Sequence, residues 1–296
     1  MQLFSPAPHD PFISPYGPVH WYTWSEEFRS FLRSVRTCDA FRELRPELVF
    51  IDGFNEYNYT WQLPPERIRA FDPEGRFARY ADVLFNTTPG EELFFFSGLI
   101  DAEISGEEFH KIFSIFRSLI SHNRSDEMEA LYTPLTVSNK GYFPLHCDLY
   151  IPRLLFNVYE SVPDDDSGAS LFLRTDTLCR DILPLLTKMP AETQQHIADI
   201  LSDRSYTDRY EEFYELLNNR YHPWYYQLKR RSEQQRFRIR FGKGQGYLLH
   251  DRHWLHGRLK PSGLLTEKRV HRLVFNSSDA TASTTAKVSP LTEMPA

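Results

Sequence analysis

Three side chains in the second half of the sequence are of types that bind metal ions, and they are spaced to do so together. His146 and Asp148 are separated by one residue at the end of a β-rich run, and His256 follows much later, ahead of Gly257 and Arg258. In a strand, residues i and i+2 project from the same face, so His146 and Asp148 would point to one side. Two imidazoles and one carboxylate leave coordination positions open, as expected for non-haem Fe(II) oxygen chemistry.

Other residues compete for these roles. A His-x-Asp spacing also occurs by chance, as a surface histidine and aspartate at the end of a strand. His250 and His253 lie near His256 and are alternative distal ligands. However, no Gly-Arg follows His250, and His253 would face the other side of a strand that carries His256. Cys147, between the two proposed ligands, should point away from the metal and behave as a small buried hydrophobic residue.

The order of these residues resembles the Fe(II)/2-oxoglutarate-dependent oxygenases, in particular the branch that contains taurine dioxygenase and clavaminate synthase. That branch carries His-x-Asp/Glu, a Gly-x-Thr segment, a Leu-His-Gly-Arg segment and a downstream arginine. The matching residues here are His146 and Asp148, Gly168-Ala169-Ser170, Leu255-His256-Gly257-Arg258, and Arg269 or Arg272. The match covers roughly residues 131–276. Serine replaces threonine at position 170, and His250-Asp251 stands where the branch usually has Asp-Asn.

The resemblance implies cofactors as well as residues. His146, Asp148 and His256 would bind Fe(II), and 2-oxoglutarate and O2 would be co-substrates. An arginine would bind the distal carboxylate of 2-oxoglutarate bidentately, with the Ser170 hydroxyl beside it. Arg269 is slightly favoured over Arg272 by its distance from His256. Asp148 favours hydroxylation or a related C–H oxidation over halogenation, because related halogenases lack this carboxylate.

The elements that must position these residues are mostly short strands. Turn-rich spacing predicts a mainly β protein with flanking helices, whose core is a double-stranded β-helix, the cupin-like jelly roll, with a helical insertion. We expect an extended arm over residues 1–20 and a single domain over 21–276. Its β core would span about 93–276, with the insertion at about 177–220, and residues 277–296 would be a disordered tail. Among the later strands, the aromatic run Trp224–Leu228 is also predicted to be a strand.

Charge and cysteine content limit the partners. The net charge of −6, from 34 basic and 40 acidic residues, argues against a nucleic-acid partner. The three cysteines are an odd number without a CxxC spacing, which predicts a reducing cytoplasm rather than a disulfide framework. No apolar run approaches the roughly 18 residues of a membrane span. The N-terminal segment shows no secretory signal pattern.

The sequence leaves the substrate open. Basic residues near the site suggest a small molecule that bears a carboxylate, such as an amino acid or a natural-product intermediate. Arg153, Asn157, Tyr132 and Trp224 are candidate substrate-binding residues. Two alternatives stay open: an oxygenase that modifies a peptide or protein side chain, and a non-catalytic jelly-roll binding protein. The oligomeric state does not follow from the sequence.

Overall fold

The computed structural model describes ten segments of the chain. They are residues 1–50, 59–86, 93–123, 128–138, 143–147, 152–162, 168–202, 210–251, 253–259 and 267–277. Asp148 and the predicted tail beyond residue 277 therefore lie outside the described residues.

The strands of the described segments are mostly three to five residues long, and three are longer. In chain order they are β1 (Phe4–Pro6), β2 (Phe12–Ser14), β3 (Gly17–Val19), β4 (Trp21–Trp24), β5 (Glu47–Phe50), β6 (Tyr59–Gln62), β7 (Leu93–Phe96), β8 (Met128–Ser138), β9 (Phe143–His146), β10 (Pro152–Ser161), β11 (Ser170–Arg174), β12 (Phe237–Ile239), β13 (Gly246–Leu249), β14 (Trp254–Arg258) and β15 (Glu267–Ser277).

The helices fall into two groups, one before β8 and one between β11 and β12. They are α1 (Glu26–Val35), α2 (Asp39–Arg42), α3 (Pro65–Arg69), α4 (Arg76–Asn86), α5 (Gly106–Asn123), α6 (Thr175–Thr177), α7 (Ala191–Ser202), α8 (Tyr210–Asn218) and α9 (Tyr225–Gln235). A π-helical turn (Leu178–Ile182) and a 3-10 turn (Leu183–Leu185) follow α6. Across the described residues, no helix combines the length and the apolar character that crossing a bilayer requires.

Two main sheets carry the fold. The larger has seven strands in the order β1-β4-β7-β13-β10-β15-β8, and the smaller has four in the order β12-β11-β14-β9. All of these pairs are antiparallel except β4 with β7. Two separate hairpins, β2-β3 and β5-β6, complete the strands. The expectation of a mainly β protein with flanking helices is confirmed.

The larger sheet is buried on both faces. Along β10, Leu154, Phe156 and Val158 belong to one hydrophobic cluster, together with residues of α1, α4 and α5. Leu155 and Tyr159 belong to another cluster, which includes residues of the smaller sheet. Since successive side chains of a strand point to opposite faces, the helices cover one face and the smaller sheet covers the other.

The smaller sheet faces the larger one with aromatic side chains. Phe95 and Tyr247 of the larger sheet share a cluster with Phe172, Phe237 and Trp254 of the smaller sheet. This inter-sheet space is the interior that a functional site could use, because strands of both sheets contribute side chains to it.

Helices of the insertion cover the rear of the smaller sheet. Leu171 and Leu173 of β11 and Leu255 of β14 pack with Ile197 of α7 and Phe213 of α8. The molecule therefore has four layers in the order helices, larger sheet, smaller sheet, helices.

The first twenty residues contribute to the sheets. β1 is the outermost strand of the larger sheet and pairs with β4, so the sheet includes residues well before position 93. Leu3 and Phe4 are buried in the helix-side cluster, which anchors this segment. Pro6 is tolerated in β1 because an edge strand has backbone N–H positions that need no partner in the sheet.

The predicted strand at Trp224–Leu228 is wrong. These residues form the start of α9, which extends the helical insertion to Gln235. The run of aromatic residues is typical of a strand. In the structure, however, the buried residues Leu228 and Ser232 are four apart, which is the spacing of one face of a helix.

A hydrogen-bonded chain of ionisable side chains joins α5 to three strands on the helix-covered face. His110 Nδ1 lies 2.8 Å from the Tyr132 hydroxyl, which lies 2.6 Å from His271 Nδ1. His271 Nε2 in turn lies 2.8 Å from Glu160 Oε2. Burial lowers the pKa of His110 to about 4 and raises that of Tyr132, so both stay uncharged near neutral pH. The hydroxyl can therefore donate to one imidazole and accept from the other.

Replacing Tyr132 with Phe should lower the free energy of unfolding by about 1–3 kcal/mol, because the buried His271 and the half-buried His110 lose their shared partner. Urea unfolding with an unchanged m-value would measure this loss. Tyr226→Phe is the matched control, since its ring is exposed and its hydroxyl can bond water. Equal stability of Tyr132→Phe and the native protein would show that the chain contributes nothing.

Candidate functional site

The two histidines predicted as metal ligands meet in the smaller sheet. β9 and β14 are antiparallel neighbours, and His146 is the register partner of His256. Their ring centroids are 4.3 Å apart, and both side chains are buried. Leu145 and Leu255, one residue away on each strand, pack against the rear helices. Strand alternation therefore directs both imidazoles into the inter-sheet space.

Neighbouring groups fix the orientation of each imidazole. His146 Nδ1 lies 2.9 Å from the carbonyl oxygen of Pro144, which can only accept, so this nitrogen carries the proton. His256 Nδ1 lies 3.4 Å from Oδ1 of the buried Asp251, which is within ion-pair distance but is not a hydrogen bond. Nε2 of His146 is then the lone-pair donor, as in histidines that bind metals.

The electrostatic setting keeps His146 neutral. Burial is the main reason why its pKa falls well below the usual value, and the nearby His256 and the charge of Arg272 act in the same direction. A neutral imidazole is the form that binds a metal ion, since a proton would occupy the donor lone pair. The pair thus fits two of the positions around a metal ion.

The third predicted ligand, Asp148, lies outside the described residues. Among the residues that are described, no group of three His, Cys, Asp or Glu side chains could hold a metal ion. His250 and His253, the alternative distal ligands, stack on each other with ring centroids 4.1 Å apart and are not the register partners of His146. Cys147 is buried in the rear cluster, on the opposite face from the imidazoles.

A row of polar side chains crosses the facing surface of the larger sheet. Tyr247, Asn157, Arg272 and Thr133 are register partners on the adjacent strands β13, β10, β15 and β8. Asn157 Nδ2 donates to the Tyr247 hydroxyl at 2.7 Å. Asn157 Oδ1 is buried and has no hydrogen-bond partner among the described residues. Arg272 is close enough to His146 to influence its pKa. The row therefore offers an unused acceptor and a cation on the face opposite the histidines.

A second cluster surrounds Gly168 at one end of this space. Lys268 is only 4% exposed, and its Nζ donates to the Gly168 carbonyl at 2.8 Å. The same ammonium lies 5.6 Å from the centre of the Tyr159 ring, whose hydroxyl is 3.0 Å from Ser170 Oγ. Arg258 also borders this cluster, since its Cδ is 3.6 Å from where a Cβ on residue 168 would stand.

This cluster, Lys268, Arg258, Ser170 and Tyr159 around Gly168, is called the anion pocket below. Burial raises the pKa of Tyr159, so its hydroxyl stays protonated and can donate. Burial lowers the pKa of Arg258, but the ordinary pKa of a guanidinium is so high that the side chain remains charged. Two cations and two hydroxyls at one place form the donor set that binds a carboxylate.

The residues predicted to bind the co-substrate lie at different places in the structure. Ser170 lies in the anion pocket and Arg272 lies in the polar row. Arg269 is not brought to this space: its side chain is 66% exposed, and NH1 lies 3.7 Å from Glu160 Oε1. Lys268 and Arg272, four residues apart, share the inner face, whereas Arg269 belongs to the other face.

The predicted substrate residues also separate. Asn157 faces the inter-sheet space, whereas Tyr132 bonds to His110 and His271 on the helix-covered face. Trp224 packs in the rear cluster, where its indole N–H donates to the Leu216 carbonyl at 3.1 Å. The side chain of Arg153 is not among those described.

Sequence reasoning missed four residues of the site. Lys268 is four residues before Arg272, and Tyr159 is two residues after Asn157. Because residues two or four apart on a strand share a face, strand alternation could have predicted both. Tyr247 begins a strand and could have been placed only from the sheet order. The motif position shared with Asp-Asn marked Asp251 but predicted no role for it, because that role depends on the turn that brings it to His256.

Comparisons with known proteins give structural similarity without sequence similarity. No family model matches the chain, and no curated protein matches it. A solved structure of asparagine oxygenase with Fe(II), 2S,3S-3-hydroxyasparagine and succinate is 11% identical, with a TM-score of 0.43 over 85% of this chain and 92% of that one. The non-heme iron oxygenase OrfP in complex with Fe is 13% identical, with a TM-score of 0.43 over 92% and 97%.

The PvcB protein from Pseudomonas aeruginosa is a third similar structure, 11% identical with a TM-score of 0.40 over 93% of this chain and 92% of that one. At this level of similarity, the function has to be argued from the residues of the chain itself.

Substituting Gly168 with Ala should disturb the anion pocket. The backbone at Gly168 has φ +77°, and an added Cβ would stand 2.8 Å from Lys268 Nζ. Moving the ammonium breaks its buried hydrogen bond, so Gly168→Ala should cost about 1–3 kcal/mol of unfolding free energy beyond the backbone strain. Gly75→Ala is the matched control, because Gly75 has φ +63° and no atom within 4 Å of the added Cβ.

A double-mutant cycle separates the two contributions. In a Lys268→Ala background, the excess cost of Gly168→Ala over Gly75→Ala should disappear. An excess that persists without the lysine would contradict the proposed contact.

Proposed function

We propose that the protein is an Fe(II)- and 2-oxoglutarate-dependent oxygenase with a jelly-roll, double-stranded β-helix core. The observation that carries this proposal is the pair of buried, register-paired imidazoles of His146 and His256, which face the same inter-sheet space as a buried anion pocket. A metal site beside a carboxylate-binding site is what a chelating dicarboxylate co-substrate requires. The reaction would couple oxidative decarboxylation of 2-oxoglutarate to hydroxylation, or a related C–H oxidation, of a small molecule.

His146 and His256 would hold the iron together with Asp148. When bound, iron and 2-oxoglutarate would supply the power to activate O2, which side chains alone lack. The protein contributes orientation. The Pro144 carbonyl holds the His146 ring in the required tautomer, Asp251 lies beside the His256 ring, and burial of both rings limits access of water.

We assign the distal carboxylate of 2-oxoglutarate to the anion pocket. Lys268 would provide the charge, and the hydroxyls of Ser170 and Tyr159 would donate hydrogen bonds beside it. This assignment replaces Arg269, the residue that sequence distance favoured, with its neighbour Lys268. Arg272 lies nearer the histidines, so we assign it to a carboxylate of the substrate rather than to the distal carboxylate of 2-oxoglutarate.

The substrate would be a small molecule with both an acidic group and a hydrogen-bond donor. Arg272 can receive a carboxylate, and the unused Oδ1 of Asn157 can accept from an N–H or O–H group. Both atoms lie between the sheets rather than in an open groove, which suits an amino acid or a natural-product intermediate better than a protein side chain.

Anaerobic addition of Fe(II) and 2-oxoglutarate should produce a weak visible charge-transfer band in the native protein. His146→Ala and His256→Ala should lose both the band and bound iron. His253→Ala should keep both, because His253 stacks on His250 instead of pairing with His146. Native protein without the band, and without succinate formation across a substrate panel, would leave the non-catalytic binding protein as the better explanation.

Lys268→Met should raise the 2-oxoglutarate concentration needed for half-maximal band intensity by about tenfold or more, because a buried charged hydrogen bond is lost. Arg269→Met is the matched control and should change it less than about twofold, since an exposed charge is screened by water. Thermal unfolding of both variants checks that the fold is intact. The opposite ranking, with Arg269→Met the more damaging, would return the role to Arg269.

A further inference from the structure

Basic residues are concentrated in one stretch of an otherwise acidic chain. Residues 220–243 contain eight of the 34 basic residues and one of the 40 acidic residues, Glu233. The rest of the chain therefore carries 26 basic and 39 acidic residues. A protein with a net charge of −6 thus presents a local excess of positive charge that its overall charge conceals.

This stretch lies largely on the surface. It runs from the turn before α9, along α9, through β12 and into the loop that follows. Its exposed basic residues, called the basic face below, are Arg220, Lys229, Arg230, Arg238, Arg240 and Lys243. β12 pairs with β11, which begins at Ser170, so Arg238 lies on the strand next to the one that carries Ser170.

Two exposed aromatic residues accompany the charges. Tyr221 is 79% exposed and Tyr226 is 69% exposed. The Arg220 guanidinium lies 5.0 Å from the centre of the Tyr221 ring, and Arg230 follows Tyr226 by one helical turn on α9. Tyrosine and arginine are the residue types enriched at the centres of protein–protein interfaces.

We propose that the basic face docks an acidic protein. A compact partner rich in Asp and Glu would be attracted to this face and repelled by the negative remainder of the chain, so charge alone would orient the encounter. The tyrosines would supply the contact area that charges lack. This docking does not depend on the proposed oxygenase activity.

The same charge distribution disfavours the two other anionic partners. A nucleic acid carries its charge along an extended polymer, which would run from the basic face onto the negative surface around it. A membrane-surface helix needs apolar residues on its outer face, but Leu228 of α9 is buried and the exposed positions are polar or tyrosine.

Fluorescence anisotropy with a labelled short glutamate-rich peptide, which the basic face can cover without contact with the negative surface around it, tests the proposal on the full chain. The native protein should bind it in about 50 mM NaCl and more weakly in about 300 mM NaCl. Arg230→Glu/Arg238→Glu/Lys243→Glu should weaken binding by about tenfold or more, because attraction is replaced by repulsion. The matched control is Arg45→Glu/Arg69→Glu/Arg79→Glu, which changes the net charge equally at exposed positions elsewhere, and its binding should weaken less than about twofold.

Duplex DNA and phosphatidylserine vesicles serve as competing probes in the same assay. Tighter binding of either one than of the glutamate-rich peptide would overturn the proposal in favour of a nucleic acid or a membrane. Equal losses in the two triple variants would also overturn it, because net charge rather than the basic face would then govern binding. Circular dichroism of both variants confirms that they are folded.

Discussion

The antiparallel pairing of β9 with β14 is the contact on which the proposed site depends, because it places His146 opposite His256. A shift of one residue would turn an imidazole toward the rear helices and bring a leucine into the inter-sheet space. Leu145 and Leu255 resist that shift, since both are buried in the rear cluster. The register of this histidine pair is therefore fixed by hydrophobic burial behind the sheet as well as by the backbone hydrogen bonds within it.

The larger sheet separates two kinds of polar chemistry by strand alternation alone. On β15, His271 points to the helices and bonds to Glu160, whereas Arg272, the next residue, points to the histidine pair. The hydrogen-bonded network on the helix-covered face is complete, because each imidazole and the hydroxyl between them already have partners. The face toward the smaller sheet can still accept a hydrogen bond, since Asn157 Oδ1 has no hydrogen-bond partner among the described residues. A structural network and a ligand-binding surface thus share the same strands.

Burying Lys268 would be costly without compensation, because an ammonium ion loses its hydration between the sheets. The Gly168 carbonyl and the Tyr159 ring offset part of that cost. Gly168 can approach so closely because it lacks a Cβ and adopts a positive φ. A bound carboxylate would offset more of the cost, so the cost of burying the ammonium and the affinity of the pocket for an anion have the same origin.

The sequence could predict the residue types of the site better than their faces. His-x-Asp, the later His-Gly-Arg and the β-rich spacing were enough to place His146 and His256 together. Asp251 could not be found, because it acts through a turn. The choice between Lys268 and Arg269 required knowing which alternate residues of β15 face the smaller sheet. The hydrophobic pattern of β15 does not show this, because Val270 and Leu273 are both buried but on opposite faces. In a strand covered on both sides, apolar residues occur at odd and even positions alike. Only the arrangement of the neighbouring strands and helices therefore decides which cations face His146 and His256.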